Sequence, residues 1–260
     1  MEKMRVSEYR KIAKERLRDQ WGLNAGIIFL SSLLTMAVNR VTGVVNSGSV
    51  QTIMSFVITT FVLFAFTYAM YYVGLFVTRG GRADIAQLFV VFQGKYYVPM
   101  LIINVISSVI QYALGLVIFI PIVLQGGLGF YLSLVLGTGA VDYSMVNMMA
   151  SAGFVLLFLV TVLLFAIVSS VVAGLFRFAA YLKFDYPELS AMDCIKKAWD
   201  LIKDRWGQYI LLQLSFIGWY LLGILLFVIP VLWAVAYANV ANAAFYDQAL
   251  QEKIDVKGTI

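Results

Sequence analysis

Residues 190–207 read SAMDCIKKAWDLIKDRWG and run directly into the apolar stretch 208–227. Counting back from Trp206, apolar residues stand at Ile202, Trp199, Ala198 and Ile195, offsets of 4, 7, 8 and 11 that trace one stripe of a helix. The same offsets recur before Tyr96, where they fall on Phe92, Phe89, Leu88 and Ile85. A looser copy precedes Trp21, with Leu17, Ala13, Ile12 and Tyr9 lying 4, 8, 9 and 12 residues back. Around the aromatic, Leu17-Arg18-Asp19-Gln20-Trp21-Gly22 matches Ile202-Lys203-Asp204-Arg205-Trp206-Gly207 in character at each position.

Each copy opens on a residue suited to cap a helix: Ser7, Asp84 and Ser190, the last paired with Asp193 in a capping-box-like arrangement. Each is followed by long apolar sequence. The repeat predicts an amphipathic helix at the inner membrane surface, an aromatic at headgroup level, then a membrane hairpin. Three such units, approximately 1–77, 78–180 and 181–260, make up one membrane domain over residues 1–260.

Composition demands the same solvent. Of 260 residues, 62% are hydrophobic and 13% charged, with a mean hydropathy of +0.89. Soluble domains run at about 45–50% apolar and about 25% charged. Crossing the hydrocarbon takes about 20 apolar residues, and six stretches qualify: approximately 22–39, 50–77, 97–124, 146–176, 207–227 and 229–247. The first is read as a retained helix rather than a signal peptide, because no small-x-small cleavage site follows Leu23 to Val38.

Charge placement tests that count. With the N-terminus inside, the inner segments 1–21, 78–96, 177–206 and 248–260 hold 7, 3, 6 and 2 Lys/Arg, leaving only Arg40 of the 19 outside. That asymmetry is what the positive-inside rule predicts for an even number of spans. The expected fold is therefore an all-α polytopic membrane protein with six transmembrane helices and both termini cytoplasmic. The net charge of +5 is read as orientation and contact with anionic lipid, not as nucleic-acid binding.

Two regions hold polar or irregular sequence. Between Pro121 and Asn147 the glycines Gly126, Gly127, Gly129, Gly137 and Gly139 interrupt the pattern. The stretch reads either as a surface loop with a short interfacial helix or as a re-entrant segment, since irregular backbone at membrane depth must be buried or line a wet cavity. Within the spans stand Asn24, Asn104, Gln111, Gln208, Gln213, Ser215, Asn239 and Asn242. They serve interhelical hydrogen bonding or a polar path, and pairs such as Gly22 with Gly26, Ser170 with Gly174 and Ala234 with Ala238 suit close helix packing.

The chemistry available is narrow. Histidine is absent and Cys194 is the single cysteine, which removes the usual ligands for zinc, haem or copper and the imidazole base of most hydrolases. No metal, cofactor or catalytic residue is expected. A carboxylate pair drawn from Asp185, Glu188, Asp193, Asp200 and Asp204 would lack a base partner or a phosphate-gripping glycine loop. Asp193 with Lys197 and Asp200 with Lys203 stand at spacings of solvated helix pairs.

The run Ser215-Phe216-Ile217-Gly218-Trp219, after the helix ending in Trp206-Gly207 and before Phe245-Tyr246, resembles an uncharacterised bacterial integral-membrane family catalogued as domain of unknown function 975. Trp21-Gly22 and Leu88-Phe89 before Tyr96 fit the same pattern. The family commonly has a proline followed by glycine after the third span, whereas here Ile122 follows Pro121 and 125–145 looks inserted or diverged. The resemblance implies a six-span protein of the bacterial cytoplasmic membrane with no assigned reaction. More distantly the chain is similar to the membrane domains attached to some glycerophosphodiester phosphodiesterases, whose catalytic domain has no counterpart in these residues.

The function expected is thus a non-enzymatic scaffold or accessory protein that binds membrane lipids or a protein partner. The face assigned to that task is Trp21, Ile85, Leu88, Phe89, Phe92, Tyr96, Ile195, Trp199, Ile202 and Trp206. The alternative is an uncoupled permease, channel or lipid-translocating protein, which a continuous polar cavity lined by Asn104, Gln111 and Gln213 would favour. Absence of charge from the middle of every span argues against proton relays and voltage sensing. An interfacial lipid enzyme near Asp185 and Glu188 is the third reading.

Overall fold

The computed structural model describes residues 4–43, 48–124, 147, 151–225 and 229–257. Every regular element among them is a helix. In chain order these are α1 Val6–Arg16, α2 Trp21–Gly43, α3 Gly48–Ile58, a π-helical turn Thr59–Leu63, α4 Phe64–Thr78, a 3-10 helix Ile85–Phe92, α5 Gly94–Ile118, α6 Ala152–Asp185, α7 Ala191–Ile202, α8 Trp206–Leu225 and α9 Val231–Lys257. Four stretches among the described residues are long and apolar enough to cross a membrane: Trp21–Arg40, Ile53–Thr78, Gly94–Ile118 and Ala152–Asp185. The predicted spans 207–227 and 229–247 fall on α8 and α9, which pack against each other. Residues 125–146, and with them the choice between loop and re-entrant segment, lie outside the described residues.

The chain divides into two compact units, Met1–Ile106 with Ala173–Ile260, and Ser107–Val172. In the first, α4 packs on α9 at Gly74, where an added Cβ would lie 3.0 Å from the carbonyl carbon and oxygen of Asn239. Glycine admits that approach without displacing the Asn239 backbone. One turn on, the Thr78 hydroxyl lies 2.7 Å from the Gly74 carbonyl and 3.0 Å from that of Val240, tying the helices across the same contact. The 3-10 helix packs on α4, with Phe66 edge-on to Phe89 and Phe92. Tyr9, Ala13 and Leu17 are fully buried, and α1 packs on α9 with the Tyr9 ring 5.0 Å from Phe245. The apolar stripe of α1 is thus covered by protein.

In the second unit, the Gln111 amide donates to the Ser169 carbonyl at 3.2 Å, and Phe119 meets Phe165 edge-on at 5.5 Å. Phe154 and Ile122 form its buried centre.

Three local expectations change. Residues 85–92 coil as a 3-10 helix, with Asp84 accepting from the Ala86 N–H at 2.7 Å and Gln87 closing the cap; the extended backbone at Gln93 stops the coil after eight residues. The tighter pitch stacks side chains three apart, so Ile85, Leu88 and Val91 share a row. Ser7 is not a cap: α1 begins at Val6, and Glu8 accepts the Arg5 N–H at 2.6 Å. An added Cβ at Gly22 or Gly26 would meet nothing within 4 Å, whereas one at Gly174 would strike the Tyr209 ring at 2.4 Å. Ser190 does cap α7, accepting from the Asp193 N–H at 3.1 Å.

Candidate functional site

Where α4 and α6 end, their charged residues converge on Asp247 within α9. Arg79, just past α4, reaches Asp185 through two nitrogens at 2.6 and 2.8 Å and Asp247 at 2.7 Å. Hydrogen bonding to Asp185 and Asp247 raises the guanidinium above its usual range despite partial burial. The Tyr246 hydroxyl donates to the second Asp185 oxygen at 2.8 Å. Nearby, Arg205 pairs with Glu252, which also accepts from Gln248 at 2.8 Å. The bond from Arg205 holds the Glu252 carboxyl below the ordinary glutamate range. Lys183, buried, donates to the carbonyls of Pro187 and Leu189 at 2.5 and 2.7 Å and so fixes the turn into α7.

This arrangement is a clasp. Asp185 is engaged by Arg79 and Tyr246, Asp193 accepts from the Ser190 hydroxyl at 2.6 Å, and Asp200 pairs with Lys203 at 2.6 Å. Among the described residues no group of three or more His, Cys, Asp or Glu is placed to hold a metal ion.

The residues assigned to the inner face separate into distinct environments. Ile85, Phe89, Phe92 and Trp199 are 50%, 51%, 40% and 50% exposed, whereas Leu88, Tyr96 and Ile202 are buried. Trp21, Ile195 and Trp206 are half-buried. On α7 the buried stripe is Ala191, Cys194, Ala198, Leu201 and Ile202, rotated from the one read by offsets because small Ala191 and Cys194 face inward while Trp199 turns out beside Trp206 at 5.8 Å. In the Ser215–Trp219 run, Phe216 is fully buried and edge-on to Tyr237 at 5.2 Å, Ser215 donates to the Leu212 carbonyl, and Ile217, Gly218 and Trp219 are exposed. Phe245 and Tyr246 sit in an aromatic cluster with Tyr9, Phe178 and Tyr181.

The family model described as "Protein of unknown function (DUF975)" matches residues 1–253. The chain belongs to this family. No curated protein and no solved structure matches it.

In this DUF975 member several of the polar residues anticipated within the spans bond to neighbouring helices or to their own. Asn104 donates to the Thr60 carbonyl at 3.4 Å, Gln213 to Asn242 at 2.6 Å and Asn24 to the Gln20 carbonyl at 3.0 Å. Asn104, Gln111 and Gln213 do not line the cleft found beside α2. That cleft, about 800 Å³, is built instead by Ser31, Ser32, Thr35 and Asn39 on α2, Tyr71 on α4, and Arg177 on α6. The spacing 31, 32, 35, 39 is a polar helix stripe legible in the sequence. Arg177 was masked by its assignment to an inner loop, whereas α6 runs unbroken to Asp185.

Proposed function

We propose that this protein is a six-span membrane protein, both termini cytoplasmic, acting as a non-enzymatic scaffold that seats on the lipid surface beside its clasp. The observation that carries the reading is the exposure of Ile85, Phe89, Phe92 and Trp199, large apolar side chains on the elements adjoining the charged cluster. Apolar rings flanked by Arg82, Lys95, Lys196 and Lys197 suit a headgroup region that is anionic above and apolar below. The support for six spans is the placement of 17 of the 19 basic residues on one predicted side, Arg40 and, within α6, Arg177 being the others.

Trp199→Ser combined with Phe89→Ser removes two exposed rings. The double variant is expected to fold and to lose most of the lipid, or of a protein partner, that crosslinks to this surface in membranes. An unchanged crosslinking profile overturns the reading.

The cleft favours a second reading, an uncoupled permease or lipid-translocating protein. Liposomes containing the purified protein and showing neither solute flux nor lipid scrambling would exclude it.

A further inference from the structure

The cleft holds a charge that its own walls do not neutralise. Arg177 stands eight residues before Asp185 on α6, about 12 Å from the clasp at a rise of about 1.5 Å per residue. Its guanidinium carbon lies 4.8 Å from the centre of the Tyr71 ring. Its Nε is shut off from solvent and has no hydrogen-bond partner. Among the described residues, no Asp or Glu lines the cleft. An arginine within apolar helices requires a counter-charge; here the protein supplies an aromatic face and leaves the anion to come from outside.

The walls state what kind of anion fits. A volume of about 800 Å³ exceeds what a bare oxyanion fills and falls in the range of small-molecule sites, roughly 300–1,000 Å³. The lining combines the α2 hydroxyls and Asn239 with the apolar Ile28, Met70 and Val235. The Ser32 and Thr35 hydroxyls already donate to the Ile28 and Ser31 carbonyls at 2.9 Å, so the charged donors an incoming anion meets are the two lining arginines, half-buried Arg177 and exposed Arg40. Exposed Phe29, Leu33 and Met36 continue the apolar surface along α2. Toward the clasp α4 and α9 come together at Gly74 against Asn239, where an added Cβ would lie 3.0 Å from backbone.

We propose that this cleft binds a phosphate group, with the Arg177 guanidinium as its cation and the apolar wall taking the rest of the molecule. The guanidinium fork matches phosphate oxygens in pairs. The source is a phospholipid headgroup or a soluble phosphate ester. The inference rests on the chain being a membrane protein and is independent of the scaffold role.

The test uses the full chain. Reconstituted in equal phosphatidylglycerol and phosphatidylcholine, then examined by native mass spectrometry, the protein should retain the anionic lipid, and Arg177→Gln should lower that retention by about tenfold or more. Arg177→Lys should fall between, and Arg18→Gln, at an exposed position outside the cleft, should leave it unchanged. A lipid-free detergent sample titrated with inorganic phosphate separates the sources: a thermal shift lost in Arg177→Gln assigns a soluble phosphate, lipid retention without it a headgroup. Should the Arg177 variants fail to fold, Ser32→Cys labelled by an anionic thiosulfonate reads the wild-type site, because phosphatidylglycerol or phosphate must slow the labelling. Equal retention by wild type and Arg177→Gln, or labelling unaffected by either anion, overturns the proposal. The Trp199→Ser, Phe89→Ser protein should keep the site, so failure of the scaffold reading is seen separately.

Discussion

Arg79 and Asp185 are 106 residues apart in sequence and meet through two parallel hydrogen bonds of 2.6 and 2.8 Å. Asp247, 168 residues from Arg79, shares the same guanidinium. One side chain therefore joins the ends of α4 and α6 to the body of α9, and that side chain is 43% exposed while its two carboxylates are 13% and 20% exposed.

Arg79→Gln should destabilise the protein in detergent by on the order of 1–3 kcal/mol, most of it the cost of leaving two shielded carboxylates side by side without a cation. Thermal melting checks this. Arg79→Lys, which keeps the charge but not the fork, should recover only part of the loss.

Glu252 predicts an acid-sensitive step. Its carboxyl is held below the ordinary glutamate range by the bond from Arg205, so the folded state favours the ionised form. The contribution is complete above that ordinary range and falls away as pH drops through the depressed value. Melting temperature followed downward from neutral pH should decline less steeply in Glu252→Gln than in the wild type, and the neutral-pH value of the variant should start lower.

Gly74 and Gly26 should respond in opposite ways. Gly74→Ala forces a methyl against the Asn239 backbone, 3.0 Å away, and is expected to cost about 1–3 kcal/mol as α4 and α9 are pushed apart. Gly26→Ala meets nothing within 4 Å and should be neutral or gain about 0.5–1 kcal/mol from helix propensity. Paired melts in one detergent compare them directly.

Cys194 should be inert. It is fully buried on α7, and burial pushes its thiol up to about 11, so little thiolate forms at neutral pH. Maleimide should label it slowly in the folded protein and rapidly after denaturation in SDS. Fast labelling of the native protein would show that α7 leaves its seat.

Much of this architecture was legible in the residues. Apolar runs of span length located α2, α4, α5 and α6, and Ser190 and Asp84 marked the starts of α7 and the 3-10 helix. Less readable was which side of each short helix faces protein. Offsets from Trp206 counted Trp199 as part of the inward stripe, yet the small side chains of Ala191 and Cys194 admit closer packing and turn the indole out. The 3-10 pitch at 85–92 was hidden for a related reason, since an eight-residue segment fits apolar spacing of either helix type.

From sequence alone come an all-helical chain, the lipid solvent demanded by 62% hydrophobic residues, and the segregation of its few charges. Those follow from local periodicity and transfer free energy, which each segment carries by itself. Only the tertiary structure decided that Arg79 clasps Asp185 and Asp247, that Gly74 rather than Gly22 or Gly26 is the point of close helix approach, and that Arg177 faces a polar cleft without a carboxylate among its described walls. Each depends on which distant helices meet and at what rotation, and that is set by packing between segments rather than by any one of them.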